Sequence, residues 1–294
     1  MKKIPKPIRR VALVANTAKP SVRTVIARAV RLLRRAGCEI LGDESTAALA
    51  GLPPDAALPA AQLARAADLL LVFGGDGTML RAVREAEGAR TPILGLNAGH
   101  LGFLTAVSSK EMDSALVKVL AGKCVIESRS LILAAGQANG RAISFHALND
   151  IVISRGSASR MIELDVEVNG ALLTRYRCDG LIISSPTGST AYSLSAGGAI
   201  ISPSAEVFSV TPICPHTLSN RSVIVGMDSH ILVRVVSEKV ETTVTADGQI
   251  NAPLDTGDTI SIRRARRDVR LVHLDGSTFF ETVRRKLHWS GSNV

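Results

Sequence analysis

The residues Gly74-Gly75-Asp76-Gly77-Thr78 combine types and spacing that can do chemistry. They follow the apolar run Leu69 to Phe73, which has the length of a buried strand, and precede a segment that reads as a helix from about Thr78 to Glu87. A turn between a strand and a helix lies at the carboxyl edge of a parallel sheet, where α/β folds hold ligands. Gly74, Gly75 and Gly77 let the backbone come close to phosphate oxygens, and Thr78 opens a helix whose first N–H groups can receive an anion. A Walker loop would carry a Lys here; this loop carries Asp76 at its centre instead. A carboxylate among such glycines fits proton abstraction from an attacking hydroxyl, or coordination of a metal. The structural alternative is a tight turn that Asp76 caps.

A second constellation runs from Asp179 to Gly198. Apolar residues lead into Ser185-Pro186-Thr187-Gly188, and a run dense in hydroxyls follows. Such a run starts a helix better than it continues one. Thr190, Tyr192 and Ser195 can present hydroxyl and N–H groups to a ribose or a phosphate. A plain Ser-rich loop explains the flanking glycines badly. Asn149-Asp150 lies within the apolar run Ala147 to Ile153. Polar groups there are costly without partners, so they either bond a ligand or satisfy a local turn. Ala246-Asp247-Gly248-Gln249 reads as a turn. His100, His146, His216, His230, His273 and His288 form no metal-ligand spacing, and no Gly-x-Ser-x-Gly elbow supports a hydrolase.

The elements that must position these residues fall into two patterns. From Val11 to Ala121 short apolar strands (Val11–Ala15, Leu69–Phe73, Ile93–Leu96) alternate with helical spacing after Ser21 and from Met112 to Ala121. That alternation predicts a parallel sheet covered on both faces. The segment 42–59 reads as a loop with little structure. From about Cys124 apolar and polar residues alternate, with turn signals at Asn139-Gly140, Asn169-Gly170, Asp247-Gly248 and Thr256-Gly257-Asp258. Ile162 to Val168 has nearly pure period two and predicts a hairpin with Ala171 to Tyr176. The expected organisation is an α/β domain at 1–123, an all-β sandwich at 124–273, and a helix at 274–294 that returns to the first domain.

Bulk properties narrow the classes. Hydrophobic residues at 46% and charged residues at 21% are globular composition. Only 3% of residues are aromatic, which argues against stacking single-stranded nucleic acid. The net charge of +9 suits a nucleotide ligand. Its clusters at Lys2, Lys3, Arg9, Arg10, Arg23, Arg28, Arg31, Arg34 and Arg35, and at Arg263, Arg264, Arg266, Arg267 and Arg270, read as solvated faces rather than a nucleic-acid patch. Cys38, Cys124, Cys178 and Cys214 are scattered, as reduced cytosolic thiols are. The apolar run Val11 to Ala15 is too short for a secretory h-region, and no run approaches a membrane span.

Together these stretches resemble the NAD kinase family. The resemblance rests on Gly74 to Thr78, Asn97 to Thr105, Ala147 to Ile153, Asp179 to Gly198 and Thr211 to Arg221. The glycine-aspartate loop is shared with diacylglycerol kinases, sphingosine kinases and phosphofructokinases, whereas Pro186 to Ser193 is far more specific to NAD kinases. The resemblance implies Asp76 as the base for the ribose hydroxyl and Gly74, Gly75, Gly77 and Thr78 as the ATP-phosphate loop. It further implies that Asn149 and Asp150 hold the adenosine of NAD, with Asp76, Gly77, Asp179 and Thr190, Ala191, Tyr192, Ser193 and Ser195 lining the dinucleotide site, and Arg160, Arg177 and Gln249 nearby. A Mg²⁺ requirement and a homo-oligomer (dimer or tetramer) with the site near a subunit boundary follow from the same likeness, and the scattered cysteines fit a cytoplasmic location. The family usually has Pro in place of Ala199 and commonly Glu in place of Asp150, whose shorter arm keeps the charge. A lipid kinase and a non-catalytic NADP sensor are the competing readings; the polar run Thr190 to Ser195 argues against the first and Asp76 against the second. Tyr176 to Ile183 reads as one strand, which would put Arg177 and Asp179 on one face, and the resemblance implies that this pair lies near the nicotinamide end of the dinucleotide.

Overall fold

The computed structural model describes residues 7–289 except 87, 98, 100, 101, 106, 158, 159, 218, 275 and 277. The features expected at Lys2, Lys3, Glu87, Ala98, His100, Leu101 and Leu218 lie outside the described residues. The chain divides into two units: Met1–Ser128 with Asp268–Val294, and Arg129–Arg267.

The first unit opens with β1 (Arg10–Ala15), α1 (Pro20–Arg35), β2 (Glu39–Gly42), α2 (Glu44–Ala50), α3 (Ala60–Ala66), β3 (Leu69–Gly74), α4 (Asp76–Glu85), β4 (Ile93–Asn97), β5 (Val107–Ser108) and α5 (Met112–Leu120). β2, β1, β3 and β4 lie side by side and parallel. Their apolar runs bury both faces, as a doubly covered sheet requires. Val22, Ile26, Ala29 and Leu33 of α1 join Leu116 and Val119 of α5 against Val11, Leu13, Leu71 and Phe73 in one core. The outward face of α1 carries Arg23, Arg31, Arg34 and Arg35 in solvent. Segment 42–59 departs from the expected loop. Asp43 caps α2 by accepting the Thr46 N–H at 2.7 Å, and Gly51 closes the helix in the left-handed region. An Ala-rich run with both caps present folds despite its flanking prolines.

The strands continue with β6 (Cys124–Ala138), β7 (Arg141–Ala147), β8 (Asp150–Arg155), β9 (Ile162–Val168), β10 (Ala171–Cys178) and β11 (Gly180–Ser184). After α6 (Tyr192–Ser195) come β12 (Val207–Ile213), β13 (Val223–Gly226), β14 (Ile231–Val235), β15 (Thr242–Ala246), β16 (Ile250–Leu254), β17 (Thr259–Leu274) and α7 (Phe279–Lys286). In the second unit six antiparallel strands run in the order β13-β12-β11-β8-β15-β16. They share one core with a second layer: Ile153, Ile183, Phe208 and Val244 meet Ile132, Leu164, Val233 and Ile262. This is a sandwich. The hairpin turns Asn139-Gly140, Asn169-Gly170 and Asp247-Gly248 all have positive φ at both residues, the type the sequence signals demand.

The units divide at Ser128 and Asp268, inside β6 and β17, rather than at the strand ends expected near 123 and 274. Each strand is long enough to serve two cores: Cys124 of β6 is buried in the first and Ile132 in the second. Leu271 of β17 pairs in parallel with Ile93, and α7 belongs to the first unit. Thr278 caps α7 by accepting the Glu281 N–H at 3.2 Å. Cys38, Cys124, Cys178 and Cys214 are free thiols, and among the described residues no helix is long and apolar enough to cross a membrane.

Candidate active site

In the first unit the helix starts earlier than its propensity suggests: Asp76 is its first residue, with Gly75 as the cap. The Asp76 side chain is not the cap. It turns to the segment after β4, where Oδ2 accepts the Phe103 N–H at 2.8 Å and Oδ1 accepts the Leu104 N–H at 3.1 Å. The Thr105 hydroxyl lies 3.3 Å from Oδ1. A Cβ at Gly102 would overlap this carboxylate, so that position requires glycine for the close approach.

The three glycines of the loop divide by cause. A Cβ at Gly74 would collide with the Thr78 side chain, so internal packing explains it. Gly75 and Gly77 would meet nothing within 4 Å, and neither has a positive φ. Among the described residues, no packing contact requires glycine at either position. Open space where side chains would stand at a helix N-terminus lets a phosphate come close. Asn16, in the adjoining loop after β1, donates its N–H to Phe73 at 2.9 Å, so two strand-to-helix loops lie side by side at this sheet edge.

In the second unit Asn149 and Asp150 stand at the entry of β8, and groups from two other segments grip their backbone. On the N–H side Asp247 accepts from Leu148 at 2.9 Å, Asn149 at 2.7 Å and Asp150 at 3.2 Å. On the carbonyl side the Ser185 N–H donates to the Asn149 carbonyl at 2.9 Å, and the Ser184 hydroxyl, whose proton is shared with the closer Ser185 carbonyl at 2.9 Å, lies 3.2 Å away. A Cβ at Gly188 would overlap the Asn149 backbone, which brings the Pro186 to Thr190 turn against it. Asp150 is only 4% exposed; burial first, then the nearby Asp247 charge, pushes its carboxyl up to about 7. Asp247, read from sequence only as a turn residue, is thus the largest omission from the expected set. Its turn chemistry was legible, but its three bonds depend on the pairing of β15 with β8.

The hydroxyl run folds as a short 3-10 turn, Gly188–Thr190, and α6. Ser189 and Ser193 point inward, where Ser193 meets the hydroxyls of Ser209 and Thr211 at 3.4 and 3.3 Å. Thr190 and Ala191 are half-buried, Tyr192 and Ser195 exposed. Gln249 is exposed on the Asp247 turn, and Arg160 is exposed. Ser189 and Ser193 therefore hold the segment while Tyr192 and Ser195 face out.

Arg177 and Asp179 do not join this group, and the single strand expected over 176–183 is not formed. β10 ends at Cys178 and pairs with β9; β11 begins at Gly180 and pairs with β8 and β12. Asp179 is the corner where the chain changes sheets, so the two-residue face rule does not span it. Asp179 pairs with Arg155 at 2.8 Å, whereas the largely exposed Arg177 reaches Glu163 at 3.9 Å. Asp150 pairs with Ser184 at the far end of β11. A strand's rise puts Asp179 about 16 Å from that level.

Comparison with known proteins agrees with these motifs. A model of the ATP-NAD kinase N-terminal domain matches residues 11–124, and one of the ATP-NAD kinase C-terminal domain matches residues 148–274. A protein of Moorella thermoacetica named NAD kinase is 45% identical over 285 residues, 97% of this chain and 91% of its own. One of Symbiobacterium thermophilum with the same name is 43% identical, covering 94% and 98%. Among solved structures, yeast NADH kinase complexed with NADH superposes with a TM-score of 0.86 at 28% identity, over 99% of this chain and 90% of that one. An NAD kinase from Archaeoglobus fulgidus in complex with ATP gives 0.76 at 27%, over 96% and 100%. With both domain models matched in order and relatives above 40% identity along nearly its whole length, the chain belongs to the ATP-NAD kinase family.

Proposed function

We infer that this chain is an NAD kinase that transfers the γ-phosphoryl group of ATP to the 2′-hydroxyl of the adenosine ribose of NAD, giving NADP. The observation that carries the reading is the Asp76 carboxylate, bonded by Phe103 and Leu104 and flanked by Gly75 and Gly77, where the space a side chain would fill is open. Oδ2 accepts one N–H and retains a lone pair for the ribose hydroxyl. Asp76 takes that proton as the oxygen attacks the γ-phosphorus and the bond to the β–γ bridging oxygen breaks to release ADP, a step in which positioning matters more than base strength. Gly74, Gly75, Gly77 and Thr78 receive the ATP phosphates, helped by the N-terminal end of α4.

In the second unit Asn149 and Asp150 bind the adenosine, and Thr190, Ala191, Tyr192 and Ser195 with Gln249 and Arg160 line the dinucleotide, while the buried Ser193 holds that segment in place. Their support is the double grip on the Asn149 backbone and the outward Tyr192 and Ser195. Arg177 and Asp179 are assigned to the dinucleotide by family likeness. Asp179 precedes β11 at the end far from Asn149 and Arg177 lies further back on β10, which favours a homo-oligomer, a dimer or tetramer, in which a second copy brings such a pair to the site. Cross-linking and native mass measurement test this; a monomer with full activity sinks it.

A divalent cation, Mg²⁺, is proposed to accompany ATP and neutralise charge on its β- and γ-phosphates. Among the described residues no three His, Cys, Asp or Glu side chains converge. Mg²⁺ that keeps its waters and leans on phosphate oxygens and one carboxylate fits such a donor set. A cytoplasmic enzyme of small molecules is the matching setting. The test is incubation with ATP, Mg²⁺ and NAD. Appearance of NADP is expected; phosphorylation of a lipid instead, or tight NADP binding without turnover, overturns the assignment.

A further inference from the structure

We propose that Thr105 and Asn97 are positioning residues that orient the Asp76 carboxylate through one directed chain of hydrogen bonds. The role rests on the kinase reading of Asp76. Asn97, at the end of β4, is 3% exposed, and Thr105 is fully buried. The Asn97 amide has a defined orientation, because its Oδ1 accepts the Gly99 N–H at 2.6 Å. Its Nδ2 therefore faces Thr105 and donates to Oγ1 at 2.9 Å. The Gly102 N–H donates to the same Oγ1 at 3.1 Å. A hydroxyl oxygen has two lone pairs and one proton. With both lone pairs engaged, the Thr105 proton is left to point at Asp76 Oδ1, 3.3 Å away.

The direction of that bond has a consequence for chemistry. Oδ1 receives the Leu104 N–H and the Thr105 O–H, while among the described residues Oδ2 receives the Phe103 N–H alone. Donors on Oδ1 keep the carboxylate from rotating and leave Oδ2 as the oxygen presented to an incoming hydroxyl. A base held in one rotamer avoids the loss that follows when reacting atoms stray from attack geometry. The parts come from β4 and the segment just after it, and they reach Asp76 on the neighbouring β3–α4 connection.

Three variants test the chain. Thr105→Val removes the hydroxyl and keeps the shape. Thr105→Ser keeps the hydroxyl. Asn97→Asp replaces the Nδ2 donor with an acceptor, which draws the Thr105 proton away from Asp76 at constant size. Thr105→Val and Asn97→Asp are expected to lower kcat about tenfold to a hundredfold with KM for NAD within about threefold. Thr105→Ser is expected to restore kcat. Melting curves establish that each variant is folded; where Thr105→Val is not, Asn97→Asp decides in the same way. A folded variant with wild-type kcat overturns the proposal, as does a parallel change in KM and kcat that Thr105→Ser shares. Wild-type protein that makes no NADP sinks the kinase reading instead. The chain is then judged by hydrogen exchange at the Phe103 and Leu104 amides, whose protection Thr105→Val lowers if the hydroxyl holds the carboxylate and leaves unchanged if it does not.

Discussion

Asp247 Oδ1 accepts the backbone N–H of Asn149 at 2.7 Å, and the same carboxylate takes the N–H groups of Leu148 and Asp150. A hairpin turn thereby sets the conformation of the dipeptide assigned to adenosine. Asp247→Ala leaves these donors without their acceptor, which costs about 2 kcal/mol or more. Urea unfolding should report that loss. In the folded fraction, KM for NAD should rise by about tenfold while KM for ATP holds, since the phosphate loop lies in the other unit. Equal changes in both would mean that Asp247 serves general stability alone.

Asp76→Asn should lower kcat by about 10²–10⁴ while NAD affinity stays within severalfold, because a positioned base is lost and uniform binding is not. The geometry adds a second expectation. An amide offers one acceptor, so its NH₂ must face either the Phe103 or the Leu104 N–H. Two donors in opposition should cost about 1–3 kcal/mol of stability. Near-normal turnover would make Asp76 structural. A Mg²⁺ titration of the variant separates loss of a base from loss of a metal ligand.

Much of the architecture was legible in the residues. Both strand periods, the Asn-Gly and Asp-Gly turns and the strand-loop-helix around Gly74 to Thr78 report on local conformation, which neighbours in sequence dictate. Phe103, Leu104 and Thr105 were visible only as part of a matching segment, because bonds spanning 27 to 29 positions depend on which strands lie side by side. The sheet change at Asp179 was hidden for a related reason. Apolar alternation continues through Cys178 and Leu181, since both sheets bury residues in one core, and nothing in that alternation marks the corner.

That corner alters what Arg177→Gly should do. Were Arg177 and Asp179 on one face beside the nicotinamide, removing the guanidinium would narrow the preference for NAD over NADH. The Arg177 side chain is exposed and, among the described residues, makes a 3.9 Å contact with Glu163, a pair of small energetic weight. For the site of a single chain the expected result is a kcat/KM ratio for NAD over NADH within about twofold of wild type, whereas a second copy that brings Arg177 to the ring would change it by more. A larger change would return Arg177 to the ring.

Asp150 makes the stability of the protein depend on pH in a direction opposite to most carboxylates. Its carboxyl is pushed from 3.8 to about 7 by burial and then by the charge of Asp247. Between these values the folded chain holds a proton that the unfolded chain has released. Stability therefore falls as pH rises through that window, and the full cost is present above about 7. Other carboxylates contribute slopes of their own, so the informative quantity is the difference between wild type and Asp150→Asn. The amide cannot ionise; its stability advantage should be small near the lower end of the window and grow towards the upper end. Urea midpoints for both proteins at about pH 5 and about pH 8 measure it. Binding should follow the opposite trend: the ionised form accepts ribose hydroxyls better, so KM for NAD should fall as pH rises through about 7 in wild type and stay flat in Asp150→Asn. A stability difference independent of pH would mean that Asp150 is already charged at the lower end, and that the grip of Asp247 on the neighbouring backbone does not discourage a second negative charge.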